Sequence, residues 1–105
     1  MSDDKSPIRS TLASDPDFVD LVIEFVNEIP GKRKAIQAYM ACGDVAQLQR
    51  AIHQLRGACG GYGFQSLTNA AAEIEESMKS GNTLEQVESR LNDFLDSLDR
   101  MSSDT

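Results

Sequence analysis

Residues 45–64 decide the fold, and they read Val45-Ala46-Gln47-Leu48-Gln49-Arg50-Ala51-Ile52-His53-Gln54-Leu55-Arg56-Gly57-Ala58-Cys59-Gly60-Gly61-Tyr62-Gly63-Phe64. The apolar residues in this stretch recur every three or four positions, which is the spacing of one face of an α-helix. They are Val45, Leu48, Ile52, Leu55, Cys59 and Tyr62. Such regular spacing predicts a helix whose apolar face packs inside a helical bundle.

The same stretch has features that a packed helix does not require. It contains the only histidine of the sequence, His53, and four of the seven glycines. A glycine inside a helix costs about 1 kcal/mol relative to alanine. At about 100° per residue, His53 points away from the apolar face. The residues that share its direction or flank it are Ala46, Gln49, Arg50, Arg56, Gly57 and Gly60. We interpret Gly57 and Gly60 as clearing the face that carries His53, and Gly63 as ending the helix.

A helical period also precedes this stretch. Asp15 is a suitable N-cap and Pro16 a suitable first helical residue. Pro30 has no amide donor, and it disfavours the helical conformation of the residue before it. We therefore predict that a first helix ends near Glu28 and that a second begins at Pro30. A single kinked helix over residues 16–42 is the alternative.

Two more helices are predicted after Phe64. The first ends at residues 80–82, and the second begins with a capping box formed by Thr83 and Gln86. No run of five residues alternates strictly between apolar and polar, so no strand is predicted. The short connections make neighbouring helices antiparallel. The predicted fold is all-α, an antiparallel up-down four-helix bundle with an additional N-terminal helix or a kinked first helix.

Length and composition indicate one acidic globular domain. The 105 residues divide into a flexible or partly ordered arm over 1–14, a bundle over 15–101 and a frayed tail over 102–105. A net charge of −7 argues against nucleic acid and anionic membranes as partners. No apolar run is long enough to span a membrane, and the polar start does not resemble a signal peptide, so a cytoplasmic location is expected. Cys42 and Cys59 are expected to be buried free thiols, and the sequence predicts no metal site.

His53 has the surroundings of a group carrier. Imidazole offers a neutral, nucleophilic nitrogen near neutral pH. The missing side chain of Gly57, one turn further on, leaves room for another protein to reach that nitrogen, and Arg56 can donate hydrogen bonds to an anion held there. The sequence has no glycine-rich phosphate loop and no pair of catalytic carboxylates. It therefore predicts a site that accepts and holds a group without binding ATP.

The run His53-Gln54-Leu55-Arg56-Gly57, followed by Gly60 and Gly63, resembles the signature of histidine-containing phosphotransfer (HPt) domains. The resemblance covers about residues 8–100. It implies a four-helix bundle whose exposed histidine takes a phosphoryl group from the aspartyl phosphate of a receiver domain and passes it to another receiver. His53 would be phosphorylated on Nε2. Arg56, where the family usually has lysine, would steady the phosphoryl oxygens, and Gly57 would keep the docking face open.

The resemblance also implies the partners of the chain. These are response-regulator receiver domains, with a hybrid histidine kinase as a further candidate. The chain is expected to be a monomeric phosphocarrier that has no cofactor of its own and no ATP-dependent kinase activity, with Mg²⁺ expected only in the partner receiver. Two alternatives remain open. One is the dimerisation and phosphoacceptor domain of a sensor histidine kinase, and the other is a helical adaptor that is never phosphorylated.

Overall fold

Four helices form an antiparallel bundle in the computed structural model, which describes residues 7–103. They are α1 (Val19–Cys42), α2 (Val45–Gly61), α3 (Gln65–Lys79) and α4 (Leu84–Asp99). Each helix packs against the next, and α1 also packs against α4, so the bundle closes. The predicted all-α four-helix bundle is confirmed. Among residues 7–103, no helix is both long and apolar enough to cross a membrane.

The first helix is continuous through Pro30, so the prediction of two separate helices is wrong and the single-helix alternative is right. The buried residues on both sides of the proline are Val22, Phe25, Ile29 and Ile36. A proline inside a helix costs about 3 kcal/mol. Burial of one uninterrupted apolar face outweighs that local cost. The helix also begins at Val19, later than predicted, because Asp15 instead accepts a hydrogen bond from the Asp17 amide at 2.9 Å in a preceding turn.

Capping residues fix the other helix ends. Gly43 ends α1 in the left-handed region, with a φ of 71° that glycine adopts without strain. Asp44 begins α2, and its side chain accepts a hydrogen bond from the Gln47 amide at 3.2 Å. Thr83 and Gln86 form the predicted reciprocal capping box at the start of α4.

The core confirms the predicted apolar face of α2. Its buried members are Leu48, Ile52, Leu55 and Cys59. The two ends of this face differ, because Val45 is 45% exposed and Tyr62 is half-buried, with its ring stacked on Phe25 of α1 at a centroid distance of 4.5 Å. Burial raises the pKa of the Cys59 thiol to about 12, so the thiol stays protonated. Cys42, predicted to be buried, is instead exposed at the last position of α1.

A short parallel pairing joins the two ends of the described chain. Strand β1 (Ile8–Arg9) pairs with strand β2 (Met101–Ser102). The sequence did not predict these strands, because two residues are too few to show an alternating pattern. Part of the predicted arm and part of the predicted tail are therefore attached to each other. Residues 1–6 and 104–105 of those two segments lie outside the described residues.

Residues 8–11, here called the N-terminal strap, cross the end of the bundle where α2 turns into α3. The buried hydroxyl of Ser10 donates to the Tyr62 carbonyl, and the Thr11 amide donates to the Gly63 carbonyl at 3.0 Å. Gly63 has a φ of 85°, and a Cβ there would lie 2.6 Å from the Ser10 hydroxyl oxygen. Gly63 thus permits both the turn after α2 and the close approach of the strap.

Candidate functional site

His53 stands on the outer face of α2, about midway along the helix. Its side chain is 66% exposed, whereas its neighbours Ile52 and Leu55 are buried. The helical period therefore directs the imidazole outward, whereas the apolar side chains of the same turn pack in the core. The outward direction agrees with the projection from the sequence.

A buried carboxylate of α3 contacts the imidazole from the protein side. The Oε2 atom of Glu75 lies 2.7 Å from Nδ1 of His53, and the Glu75 side chain is only 3% exposed. An ionised carboxylate accepts hydrogen bonds and cannot donate them, so Nδ1 carries the proton and donates it to Glu75. In the neutral ring, Nε2 is then the unprotonated nitrogen. The contact thus leaves the lone pair of Nε2 available on the exposed side of the ring.

Two permanent cations share Glu75 with the histidine. Nη1 of Arg56 donates to Oε1 at 2.9 Å, and Nζ of Lys79 lies 3.3 Å from Oε2. Both side chains are about half exposed. We call Glu75, Arg56 and Lys79 the charge cluster. With one carboxylate and two cations, the cluster has a net positive charge beside His53, although the whole chain has a net charge of −7.

The charge cluster keeps Glu75 ionised. Burial by itself raises the pKa of Glu75, because a carboxylate loses hydration inside the protein. Hydrogen bonds from Arg56, His53 and Lys79, together with the charge of His53, outweigh burial and hold the pKa below its ordinary value of 4.5. Glu75 is therefore an anionic acceptor at neutral pH, as the donation from Nδ1 requires.

The two glycines predicted to clear the histidine's face have different surroundings. Nothing lies within 4 Å of the position that a Cβ of Gly57 would occupy, so this glycine leaves open space one turn beyond His53. At Gly60, a Cβ would lie 3.2 Å from Oγ1 of Thr68. That hydroxyl donates to the Arg56 carbonyl at 3.0 Å. The space at Gly60 is taken by α3, so its small size serves the contact between α2 and α3.

The remaining predicted docking residues lie on α2 with His53. Ala46 and Arg50 are exposed, and Gln49 is half-buried. Gly61, for which the sequence offered no explanation, also has nothing within 4 Å of its Cβ position. The docking role of these residues stays a prediction. Within residues 7–103, no three histidine, cysteine, aspartate or glutamate side chains are grouped as metal ligands would be.

Sequence reasoning missed Glu75, Lys79 and Thr68 as members of the site. A signal for Glu75 was nevertheless present in the helical pattern of α3. Glu75 follows Ala71 by four positions and adjoins Ile74, both of which are buried, so it falls on the inward face of the helix. An acidic residue at such a position is almost always paired, because a buried charge without a partner is very costly. The pattern could have flagged Glu75 but could not name its partners.

Comparisons with known proteins give consistent relatives. Residues 20–104 match the family described as "Hpt domain". The signal transduction histidine-protein kinase BarA of Shigella flexneri is 28% identical over 86 residues, and the protein of the same name from Escherichia coli strain K12 is 27% identical over 86 residues. Each alignment covers 82% of this chain and 9% of the kinase, so the chain spans less than a tenth of the length of these relatives. No solved structure matches the chain.

Proposed function

This chain belongs to the Hpt family, and on that premise we propose that it is a phosphorelay carrier whose phosphorylated residue is His53. Hpt domains are phosphotransfer modules of two-component phosphorelays and are not kinases. The observation that supports His53 most directly is the orientation of its ring. Nδ1 is hydrogen-bonded to the buried Glu75 carboxylate at 2.7 Å, while the His53 side chain is 66% exposed and can be reached by a partner.

The proposed reaction moves a phosphoryl group from a receiver domain to this chain. The lone pair of Nε2 attacks the phosphorus of an aspartyl phosphate on the receiver and forms a P–N bond. The P–O bond to the aspartate breaks, and the aspartate leaves as a carboxylate with the bonding electrons. Nδ1 keeps its proton, so the phosphorylated ring is cationic and faces the anionic Glu75. Transfer to a second receiver aspartate reverses these steps and restores the neutral ring.

The chain's own contribution to this reaction is positioning and charge. Phosphoryl transfer passes through a loose transition state, so in-line alignment and charge stabilisation matter more than covalent chemistry by the protein. In the proposal, Glu75 fixes the ring and Arg56 donates to the phosphoryl oxygens. The open space at Gly57 admits the receiver surface. The carrier itself uses no cofactor, and Mg²⁺ is assigned to the partner receiver.

Labelling by a phosphorylated receiver tests the proposal. The full chain is incubated with each phosphorylated receiver domain of the source organism, and the transferred label is tested for lability in acid and stability in base. We expect the wild type to gain such a label and His53→Gln to gain none. The proposal is lost if the wild type gains none from any receiver, or if His53→Gln gains as much.

The same preparations address the alternative of a sensor-kinase dimerisation domain. All four helices that enclose the core come from one chain, which favours a bundle that is complete as a monomer. We therefore expect a monomeric mass by light scattering across the concentrations used for transfer. A stable dimer would favour the dimerisation domain instead. A monomer that takes no label would favour the adaptor.

A further inference from the structure

We propose that Lys79 is a second phosphoryl-binding residue, which exchanges Glu75 for the phosphoryl oxygens when His53 is phosphorylated. The inference rests on the proposed function, because it requires a phosphoryl group on Nε2. It concerns a residue outside the signature run, on a different helix from His53. Two observations carry it, namely the position of Lys79 and the charge of the cluster, together with the general flexibility of a lysine side chain.

The position of Lys79 is set by an oxygen that it shares with the reactive residue. Oε2 of Glu75 lies 2.7 Å from Nδ1 of His53 and 3.3 Å from Nζ of Lys79, so the two nitrogens are no more than 6.0 Å apart. The Lys79 side chain is 58% exposed, so the ammonium group is not enclosed. A lysine has a flexible four-carbon stem and three donors, which allows the head group to change partners without movement of the helix.

The charge balance of the cluster favours such an exchange. Before phosphorylation, the Glu75 carboxylate has two permanent cations, Arg56 and Lys79, so one positive charge is in excess. Phosphorylation on Nε2 makes the ring cationic and adds a phosphoryl dianion on its exposed side. Glu75 then keeps the ring cation and Nη1 of Arg56 as partners, and the other N–H donors of Arg56 remain available to the phosphoryl oxygens. Lys79 is therefore the member of the cluster that can move to the phosphoryl dianion, because the buried carboxylate still has partners after this move.

A purely structural explanation of Lys79 has to be separated by experiment. A glutamate followed by a lysine four residues later stabilises a helix, and a cation in the last turn favours the helix dipole. Lys79 satisfies both conditions in α3. These effects influence the stability of the helix but not the properties of a phosphoryl group on a neighbouring helix. A measurement on the phosphoryl group itself therefore distinguishes the two explanations.

Phosphoramidate can be used as the probe, because it phosphorylates histidine without a docking partner. A P–N bond to Nε2 replaces the P–N bond of the reagent, whose nitrogen leaves as ammonia after taking up a proton. The full-length wild type, Lys79→Gln, Lys79→Arg and Lys34→Gln are compared. Lys34 is an exposed lysine of α1 and serves as the control for net charge. The phosphoryl group is titrated by ³¹P NMR, and the half-life of the phosphohistidine is measured.

A bound cation favours the dianionic form of the phosphoryl group, so its loss raises the midpoint of the titration. In Lys79→Gln we expect the midpoint to rise by about half a pH unit, and the half-life to shorten by a factor of about 1.5 to 5, as for an exposed ion pair. Lys79→Arg retains the cation and should remain close to the wild type. Lys34→Gln should change neither quantity.

Two results would overturn the proposal. One is a titration midpoint and a phosphohistidine half-life in Lys79→Gln that equal those of the wild type, even if circular dichroism shows that this variant has lost helix stability. The other is an equal shift in Lys34→Gln, which would reduce the effect to net charge. Both results leave the proposed function intact, because His53 still carries the label. Failure of the proposed function is seen separately, as a wild type that takes no label from any phosphorylated receiver.

Discussion

Glu75→Gln tests whether the charge of a buried carboxylate, and not only its shape, holds α3 against α2. In the structure, both oxygens of Glu75 accept from donors on α2: Oε1 from Arg56 and Oε2 from His53. A carboxamide has the same outline, but one of its two positions is an NH₂ group that can only donate. The carboxamide oxygen can still accept from Arg56, but its NH₂ group then faces Nδ1 of His53, which can accept only if the ring proton moves to Nε2.

The expected loss follows from the strengths of these hydrogen bonds. A hydrogen bond to a charged group contributes about 1.5–3 kcal/mol, and a neutral one about 0.5–1.5 kcal/mol. Two effects reduce the loss. Arg56 and Lys79 are about half exposed, so water replaces part of what they lose, and removal of a buried charge relieves its desolvation. We expect the free energy of unfolding to fall by about 2 kcal/mol at neutral pH.

Urea unfolding followed by circular dichroism measures this loss, with Glu76→Gln as the matched control. Glu76 is the exposed neighbour of Glu75 on the same helix, so its substitution removes an equal charge without a buried partner. The folded-state pKa of Glu75 lies below the ordinary 4.5, so its contribution is complete above that pH and is lost as the pH falls through the folded-state pKa. The difference in unfolding free energy between wild type and Glu75→Gln should therefore become smaller in acid. Equal stability of the two variants at neutral pH, or a deficit independent of pH, would refute the reasoning.

Three further substitutions separate docking, charge and packing. In Gly57→Leu the new side chain meets open space, so we expect a gain of up to about 1 kcal/mol in the free energy of unfolding together with slower labelling of His53 by a receiver. An unchanged labelling rate would remove the steric role of that glycine. Arg56→Ala should shorten the phosphohistidine half-life or weaken binding of a receiver in a titration, and a variant normal in both would have lost only a surface charge. In Gly63→Ala, the new residue must adopt a φ of 85° and would place its Cβ 2.6 Å from the Ser10 hydroxyl oxygen. We expect the free energy of unfolding in urea to fall by about 1–3 kcal/mol. A wild-type unfolding midpoint would mean that the strap moves aside without cost.

The parts of the fold that depend on local rules were predictable from the sequence. The three- and four-residue spacing along α2 and the caps at Asp44 and Thr83 each need only a few neighbouring residues. Pro30 failed as a helix boundary because the local cost of proline competes with burial along the whole of α1. The pairing of β1 with β2 joins the two ends of the described chain, so no local window contains its signal.

The candidate site also has a part that one helix determines and a part that depends on the packing of two helices. The exposure of His53 and the open space at Gly57 follow from the projection of one helix. Glu75 and Lys79 belong to α3, and their contacts with α2 depend on how the two helices pack. Gly60 illustrates the difference best. The projection placed it correctly on the side of His53, but only the structure identifies Thr68 as the group that fills its space.

The N-terminal strap has a consequence for the order in which structure is lost. Three of the four main helix pairs in contact join helices that are consecutive in sequence, whereas β1 and β2 pair only when the two ends of the described chain meet. Such distant contacts form late in folding, and a pairing two residues long opens without unfolding the rest. An opening that extends beyond this pairing to Ser10 and Thr11 removes the donors that they supply to the carbonyls just after α2. We therefore expect the strap to open on its own, which faster hydrogen exchange at the Thr11 amide than in the middle of α2 would show. The turn of helix that carries His53 should stay closed during this opening.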